Sequence, residues 1–259
     1  MNLDLRGKSA LVGGASQGIG YGIAHLLAAE GADVAITARR EPALTAAAER
    51  IAAETGSKVV PIQADCRQAA DCTRAAEAAA AAFGGLDILV NNDGAPPLGE
   101  LTSFDDAAWA KAMEQNFMYV ARMARAAIPH MRRRGGGSIL NITAISAIQP
   151  IPKFGLSVAS WGAVIGYAKT LALEVARDNI NVNTVCPGYV DTQRLEKVFA
   201  SGSKSPEAMR KELEDEVPMG RIGTVEDIAS LVALLVSPRG RYITGTVIPV
   251  DGGLFRAVR

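Results

Sequence analysis

Three glycines, Gly14, Gly18 and Gly20, stand in "GGASQGIGYG", where a short apolar run gives way to a helical pattern. Glycine there permits a tight turn and lets backbone N–H groups approach a diphosphate at the positive end of the following helix. The spacing is G-x-x-x-G-x-G rather than G-x-G-x-x-G, and glycine-rich turns also serve plain packing, so the loop alone does not fix a ligand. Further along, "ITARRE" puts Ala38 where an acidic residue would grip a ribose 2′-hydroxyl, with Arg39 and Arg40 beside it. A cationic pair without a carboxylate suits a 2′-phosphate, which favours NADP over NAD. Asp65 in "QADC" is suited to accept a bond from an adenine amino group. Asn91 and Asn92 in "NNDG" are suited to hold the ribose side and brace a sheet.

Positioning these groups requires strands that end near one another. Short β-branched runs alternate with longer alanine-rich amphipathic runs. Strands are expected at 8–13, 33–37, 58–63, 87–91, 137–143, 180–185 and 246–250. Helices are expected near 18–30, 41–55, 68–83, 105–133, 157–178 and 225–236. Strict alternation implies parallel strands joined by right-handed crossovers, hence an α/β doubly wound sheet of about seven strands with helices on both faces. Strands that are apolar throughout, such as "ILVNN", fit a sheet covered on both sides. The rhythm breaks at 192–217, a charged stretch with a Ser/Gly/Pro interruption between two helical pieces. It reads as a helical lid over a ligand crevice or as a solvated surface excursion.

The chain has 259 residues, 49% of them hydrophobic and only 5% aromatic, so its core must be built from Ala, Val, Ile and Leu. One domain spanning 1–259 is expected, since no linker-like run interrupts the pattern. Lys plus Arg and Asp plus Glu both number 27. Neutrality gives no global argument for nucleic acid or membrane partners. The run "RRR" at 132–134 is expected to end a helix favourably at its negative pole. No signal peptide opens the sequence, and no apolar run is expected to span a bilayer, which points to a cytoplasmic protein. The three cysteines, Cys66, Cys72 and Cys186, lack metal-ligand spacing and are expected to be reduced thiols. His25 and His130 lie inside helical patterns, and no His/Cys cluster suggests a metal.

The motifs together resemble the short-chain dehydrogenase/reductase family from Gly13 to Gly253. They are "GGASQGIG", "NNDG", Asn116 in "MEQNFMYVAR", "GSILNITAISA", "KTLALEVARDNINVNTVCPGYVDT" and "ITGTVIPVDGG". The resemblance implies a Rossmann-type sheet, a nicotinamide cofactor across the strand ends, and a homotetramer or homodimer meeting through helix 105–133 and the helix after 157. It assigns Gly14, Ser16, Gly18, Ile19, Gly20, Asp65 and Asn92 to the cofactor. Val185, Pro187, Gly188, Val190 and Thr192 would form the turn that packs on the nicotinamide.

Members of that family exchange a proton through a tyrosine, whose pKa is lowered by a lysine four residues later. A serine thirteen residues before the tyrosine orients the substrate, and an asparagine on an earlier helix supports a water relay. "GAVIGYAKTLALE" sets the register: Trp161 stands at the lysine position, Ser157 at the tyrosine position and Ala144 at the serine position, and only Asn116 remains. A free phenol titrates near ~10 and needs a neighbouring ammonium to serve at neutral pH. Ser157 is a ring shorter and less acidic, Trp161 carries no charge, and Ala144 has no donor. Ordinary carbonyl reduction is therefore expected to be absent or impaired. Trp161 would either stack on the nicotinamide or ribose or fill their place.

Replacement groups are sought nearby. Phe154 has no hydroxyl, and Lys153 cannot take the lysine position without remodelling; Tyr119, Tyr189, Thr143, Ser146 and Gln149 are other residues near the crevice. Asp93, in place of a small residue, could be a general base or a turn residue bonding local N–H groups. Ser157 as a nucleophile lacks a histidine partner. Three functions stay open: a divergent NADP(H)-binding oxidoreductase, a non-redox lyase, isomerase or hydrolase using the same crevice, and a noncatalytic subunit or nucleotide sensor. The loop "AISAIQPIPKFGL" and the insertion suit a modest, partly apolar small-molecule substrate.

Overall fold

The computed structural model describes all residues except Met1, Asp93, Ala95, 201–204 and Arg259. Seven parallel strands form one sheet: β1 (Ser9–Val12), β2 (Asp33–Ala38), β3 (Val59–Gln63), β4 (Ile88–Asn91), β5 (Gly137–Ile142), β6 (Ile180–Pro187) and β7 (Val247–Val250). Their order is β3-β2-β1-β4-β5-β6-β7. The order in which strands are added switches sides between β1 and β4, and the crevice outside the carboxyl ends at such a reversal is where open α/β sheets bind ligands.

The helices that cover the sheet on one face are α1 (Gly18–Ala29), α2 (Glu41–Thr55) and, near the carboxyl end of the chain, α9 (Val225–Val236). Their buried faces join Val12, Ile36, Val90, Leu140 and Val185 in one apolar cluster. On the other face lie α3 (Ala69–Phe83), α5 (Tyr119–Arg133) and α6 (Gly155–Val175), packed with Leu11, Ala35, Leu89, Ile139 and Val182. Alternate strand residues thus face opposite helix layers, as a period of two requires. Alanine dominates α3, where Ala75, Ala76 and Ala79 are fully buried, so helix and sheet approach closely without large side chains. Thr224 and Asp227 cap α9 reciprocally, the hydroxyl accepting from the Asp227 N–H and the carboxylate from the Thr224 N–H.

The expected elements are present with ends that move by at most three residues, and three differences have physical content. The expected helix 105–133 is α4 (Asp106–Met113) and α5 joined by one wide π turn, Glu114–Met118. Residues 192–217 carry two helices, α7 (Gln193–Ala200) and α8 (Pro206–Glu216). Contrary to the expectation that no apolar run could span a bilayer, Gly155–Asp178 is long and apolar enough by length and composition. Its buried stripe of Leu156, Trp161, Val164, Ala168, Leu171 and Val175 packs into the core beside the sheet.

The basic run does more than face a helix dipole. Arg132 Nε donates to Asp178 at 2.8 Å, and Arg134 Nη2 reaches the buried Asp87 at 3.2 Å. Cys66, Cys72 and Cys186 are buried thiols. No group of three or more His, Cys, Asp or Glu side chains is arranged for a metal among the described residues.

Candidate functional site

The glycine loop runs from β1 into α1, on the β1 side of the reversal. A Cβ built on Gly20 would lie 2.6 Å from both Asn92 Nδ2 and the Gly14 carbonyl, so only glycine fits there without displacement. Gly14 has a left-handed φ of 57° and faces the Asn92 carbonyl too closely for any side chain. Asn92 Nδ2 donates to the carbonyls of Gly13 and Gly14 at 3.2 and 3.4 Å, tying the end of β4 to the loop. Gln17 makes no side-chain cap to α1, and the first turn of that helix has no acidic residue. Its N-terminal N–H groups are thus left for an anion, as the diphosphate expectation requires.

At the adenosine end, Ala38 closes β2 opposite Gln63, and Arg39 and Arg40 follow it exposed. Among the described residues, no carboxylate forms an ion pair with either arginine. Asp65 is placed after β3, but its carboxylate is already taken by Arg67, whose Nε and Nη2 donate at 2.8 and 2.5 Å. That pairing outweighs the burial that would raise the carboxyl, and with the Arg39 charge nearby holds Asp65 below the usual carboxylate range. Arg67 was not foreseen. Its signal was an opposite charge two residues from Asp65 on the same turn.

Between the two ends, Asn91 Nδ2 donates to Asn141 Oδ1 at 2.9 Å, bracing β4 against β5. Asn116 lies in the π turn, 1% exposed, and its Nδ2 donates to Ser160 Oγ at 2.8 Å. Ser160 donates in turn to the Leu156 carbonyl at 2.6 Å, so α6 holds the asparagine in place. Asn116 Oδ1 is buried without a hydrogen-bond partner among the described residues. It faces Gly94 so closely that a side chain at 94 would collide with it. A π turn widens the helix and turns Asn116 toward the loop after β4. The sequence pattern did not show that turn, because the apolar period on either side of it is intact.

The chemical positions are apolar or muted. Trp161 is 7% exposed and belongs to the apolar cluster of α3, α5 and α6; Ala144 packs against that cluster. Ser157 is 2% exposed on the same stripe of α6. Asp93, the other acid–base expectation, lies outside the described residues.

The structure also assigns the other neighbours. Tyr189 donates to Glu216 Oε2 at 2.9 Å; burial and that carboxylate push its phenol up to about 12. Tyr119 is 2% exposed inside the cluster. Thr143 Oγ1 reaches the Val185 carbonyl at 3.3 Å, Gln149 Oε1 accepts from the Arg256 N–H at 3.1 Å, and Ser146 Oγ is buried unpartnered among the described residues. Phe154 caps α6 with its backbone, and Lys153 is exposed with a left-handed φ of 69°. The next lysine along α6, Lys169, donates to the Gly245 carbonyl at 2.9 Å, beside the start of β7.

The turn after β6 sits at the mouth. Pro187 ends that strand with Val185 buried behind it, and the Gly188 N–H donates to the Val250 carbonyl at 3.0 Å. Val190 is 7% exposed and bridges to Gly223. Thr192 Cγ2 lies 3.8 Å from where a Cβ on Gly18 would be, so this turn reaches the glycine loop. Ser16 and Ile19, on that loop, are partly buried.

Sequence comparison extends the resemblance over the chain. The profile of the family described as Enoyl-(Acyl carrier protein) reductase matches residues 14–255. Nodulation protein G of Rhizobium sp. (strain N33) is 37% identical over 251 residues, covering 97% of this chain and 98% of that protein. The 3-oxoacyl-acyl-carrier-protein reductase FabG of Chlamydia muridarum (strain MoPn / Nigg) is 34% identical over 254 residues, covering 98% and 100%. Among solved structures, L-sorbose reductase from Gluconobacter frateurii, complexed with NADPH and L-sorbose, is similar with a TM-score of 0.95 at 32% identity, covering 100% of both chains. With relatives aligned from end to end and a sheet of the order the motifs implied, the chain belongs to the short-chain dehydrogenase/reductase family of oxidoreductases.

Proposed function

We propose that this protein is a divergent NADP(H)-binding member whose crevice keeps the dinucleotide cradle and lacks the groups for ordinary carbonyl reduction. The residues fit the cofactor at the diphosphate, where Gly14 and Gly20 let the turn pack against Asn92 and the uncapped, acid-free first turn of α1 leaves N–H groups for an anion. Gly14, Ser16, Gly18, Ile19 and Gly20 would hold the diphosphate, with Asn92 bracing the loop. Arg39 and Arg40 would take the 2′-phosphate, and the Asp65–Arg67 pair would frame the adenine. Pro187, Gly188, Val190 and Thr192 would line the nicotinamide side. When bound, the cofactor supplies or accepts a hydride.

The observation that carries the negative half is the burial of Trp161. A neutral indole, folded into the core, replaces the ammonium that would make a phenol acidic and grip the ribose. Ser157 offers only a weakly acidic hydroxyl, and Ala144 offers no donor to a carbonyl oxygen. Tyr189 is no substitute, since its raised pKa makes it a poorer acid at neutral pH. Lys169 is held at the far edge of the sheet. Asn116 remains, with a free acceptor facing Gly94, as a positioning group for water or substrate.

The stretch 192–217 would act as a lid over a modest, partly apolar substrate, and assembly would use the exposed faces of α4, α5 and α6. The test is a fluorescence titration with NADPH and NADH, followed by assay against a carbonyl panel. Saturable binding that favours NADPH, with oxidation no faster than the blank, is expected. Failure to bind either nucleotide removes the cofactor half. Turnover typical of the family removes the impaired-chemistry half.

A further inference from the structure

Arg194 carries a charge that none of the roles above uses. It sits in the first turn of α7, two residues after Thr192. Thr192 touches the glycine loop on the β1 side, while Arg194 Nη1 reaches across to the Gly94 carbonyl on the β4 side. β1 and β4 are the strands that flank the reversal in the sheet. The start of α7 therefore straddles the mouth of the crevice with a guanidinium over it.

That guanidinium is loosely held. Its contact with Gly94 is 3.5 Å, the outer limit of a hydrogen bond, and among the described residues no carboxylate pairs with it. Arg210, on the partner helix α8, behaves differently: it donates to both oxygens of Asp191 at 3.0 and 3.1 Å. Arg194 is exposed by area, yet the atoms packed around its guanidinium remove enough water to lower its pKa. A partly desolvated cation, with a single donor engaged among the described residues, is matched by an oxyanion. The uncapped first turn of α1, with no acidic residue, faces the same crevice with its N–H groups.

We propose that Arg194 is an anion anchor that closes α7 over the crevice by gripping a phosphate or carboxylate oxygen. This deepens the reading above and rests on it: the anion is the dinucleotide's diphosphate or the carboxylate of an acidic substrate. No residue of the cradle itself supplies such a charge at the mouth. Arg39 and Arg40 stand at the end of β2, on the far side of β1 from β4.

The test compares wild type, Arg194→Ala and Arg194→Lys, each first checked by thermal melt. NADPH is titrated into the apoprotein, and benzoate (a carboxylate with no reducible carbonyl) into the NADPH-saturated protein. For a diphosphate anchor, Arg194→Ala weakens NADPH by about ten-fold or more and flattens the salt dependence, with Arg194→Lys between. For a substrate anchor, NADPH binding is unchanged and benzoate binding to the wild type is lost in Arg194→Ala. Equal NADPH and equal benzoate affinity in all three proteins overturns the proposal while leaving the cofactor reading intact. A wild type that binds neither probe overturns both.

Discussion

In the register the family resemblance implies, the indole at residue 161 would stand where an ammonium is expected, and the proposed replacement is not isolated. On that proposal Ser157 and Ala144 stand at the tyrosine and serine positions, so no single reversion would supply a working proton donor. A phenol at 157 without a lysine would stay near its ordinary pKa, and a lysine at 161 without a phenol would have nothing to activate. The triple variant Ala144→Ser, Ser157→Tyr, Trp161→Lys should therefore gain carbonyl reductase activity. Each single variant should remain near background. General acid catalysis is worth roughly 10²–10⁴-fold, which sets the gain expected in steady-state NADPH oxidation. Trp161→Ala has a different consequence. Removing a buried indole from the α3–α5–α6 cluster should cost about 3–5 kcal/mol in denaturant unfolding, whatever the effect on nucleotide binding.

Elements place these residues through contacts that differ in how far the sequence reveals them. The glycine loop was legible, since a Cβ at Gly14 or Gly20 would collide with Asn92 and, at Gly20, with the loop's own carbonyls. Gly20→Ala should force Asn92 and the first turn of α1 apart. We expect at least ten-fold weaker NADPH binding and a loss of about 1–3 kcal/mol in thermal or denaturant melts. Strand and helix order was equally legible, because a β period of two and a helical period near 3.6 write themselves into side-chain spacing. The π turn at Glu114–Met118 was not: inserting one extra residue into a turn leaves the flanking apolar faces unchanged. Nor were the Asn116–Ser160 and Asp65–Arg67 bonds, which depend on the rotamers that packing selects. Apolar length is ambiguous in one place, since α6 is a core helix whose length and composition would also suit a membrane span.

Across the whole molecule the site and the stabilising charge network lie at opposite ends of the sheet. Asp87, 5% exposed, stands just before β4, at the amino ends of the strands. Burial alone would raise its carboxyl, but the Ser9 N–H and hydroxyl, both at 3.0 Å, with Arg134 and Lys8 at 3.2 Å, lower it on balance. A carboxyl depressed by folding adds stability that is fully present above its unfolded value of about 3.9. That contribution fades as pH falls through the lower, folded value. Asp87→Asn should thus be less stable than wild type at pH 7, by about 1.5–3 kcal/mol, with the difference closing in acid unfolding below about pH 4. Nucleotide affinity at neutral pH should be unchanged in the folded variant, since Asp87 is remote from the crevice.

The most direct measurement is single-turnover stopped flow on wild-type protein preloaded with NADPH, mixed with carbonyl substrates and followed by nucleotide absorbance. The expected result is a stoichiometric NADPH complex whose absorbance stays constant on mixing. A fast, stoichiometric loss of NADPH, abolished by Ser157→Ala, would contradict it.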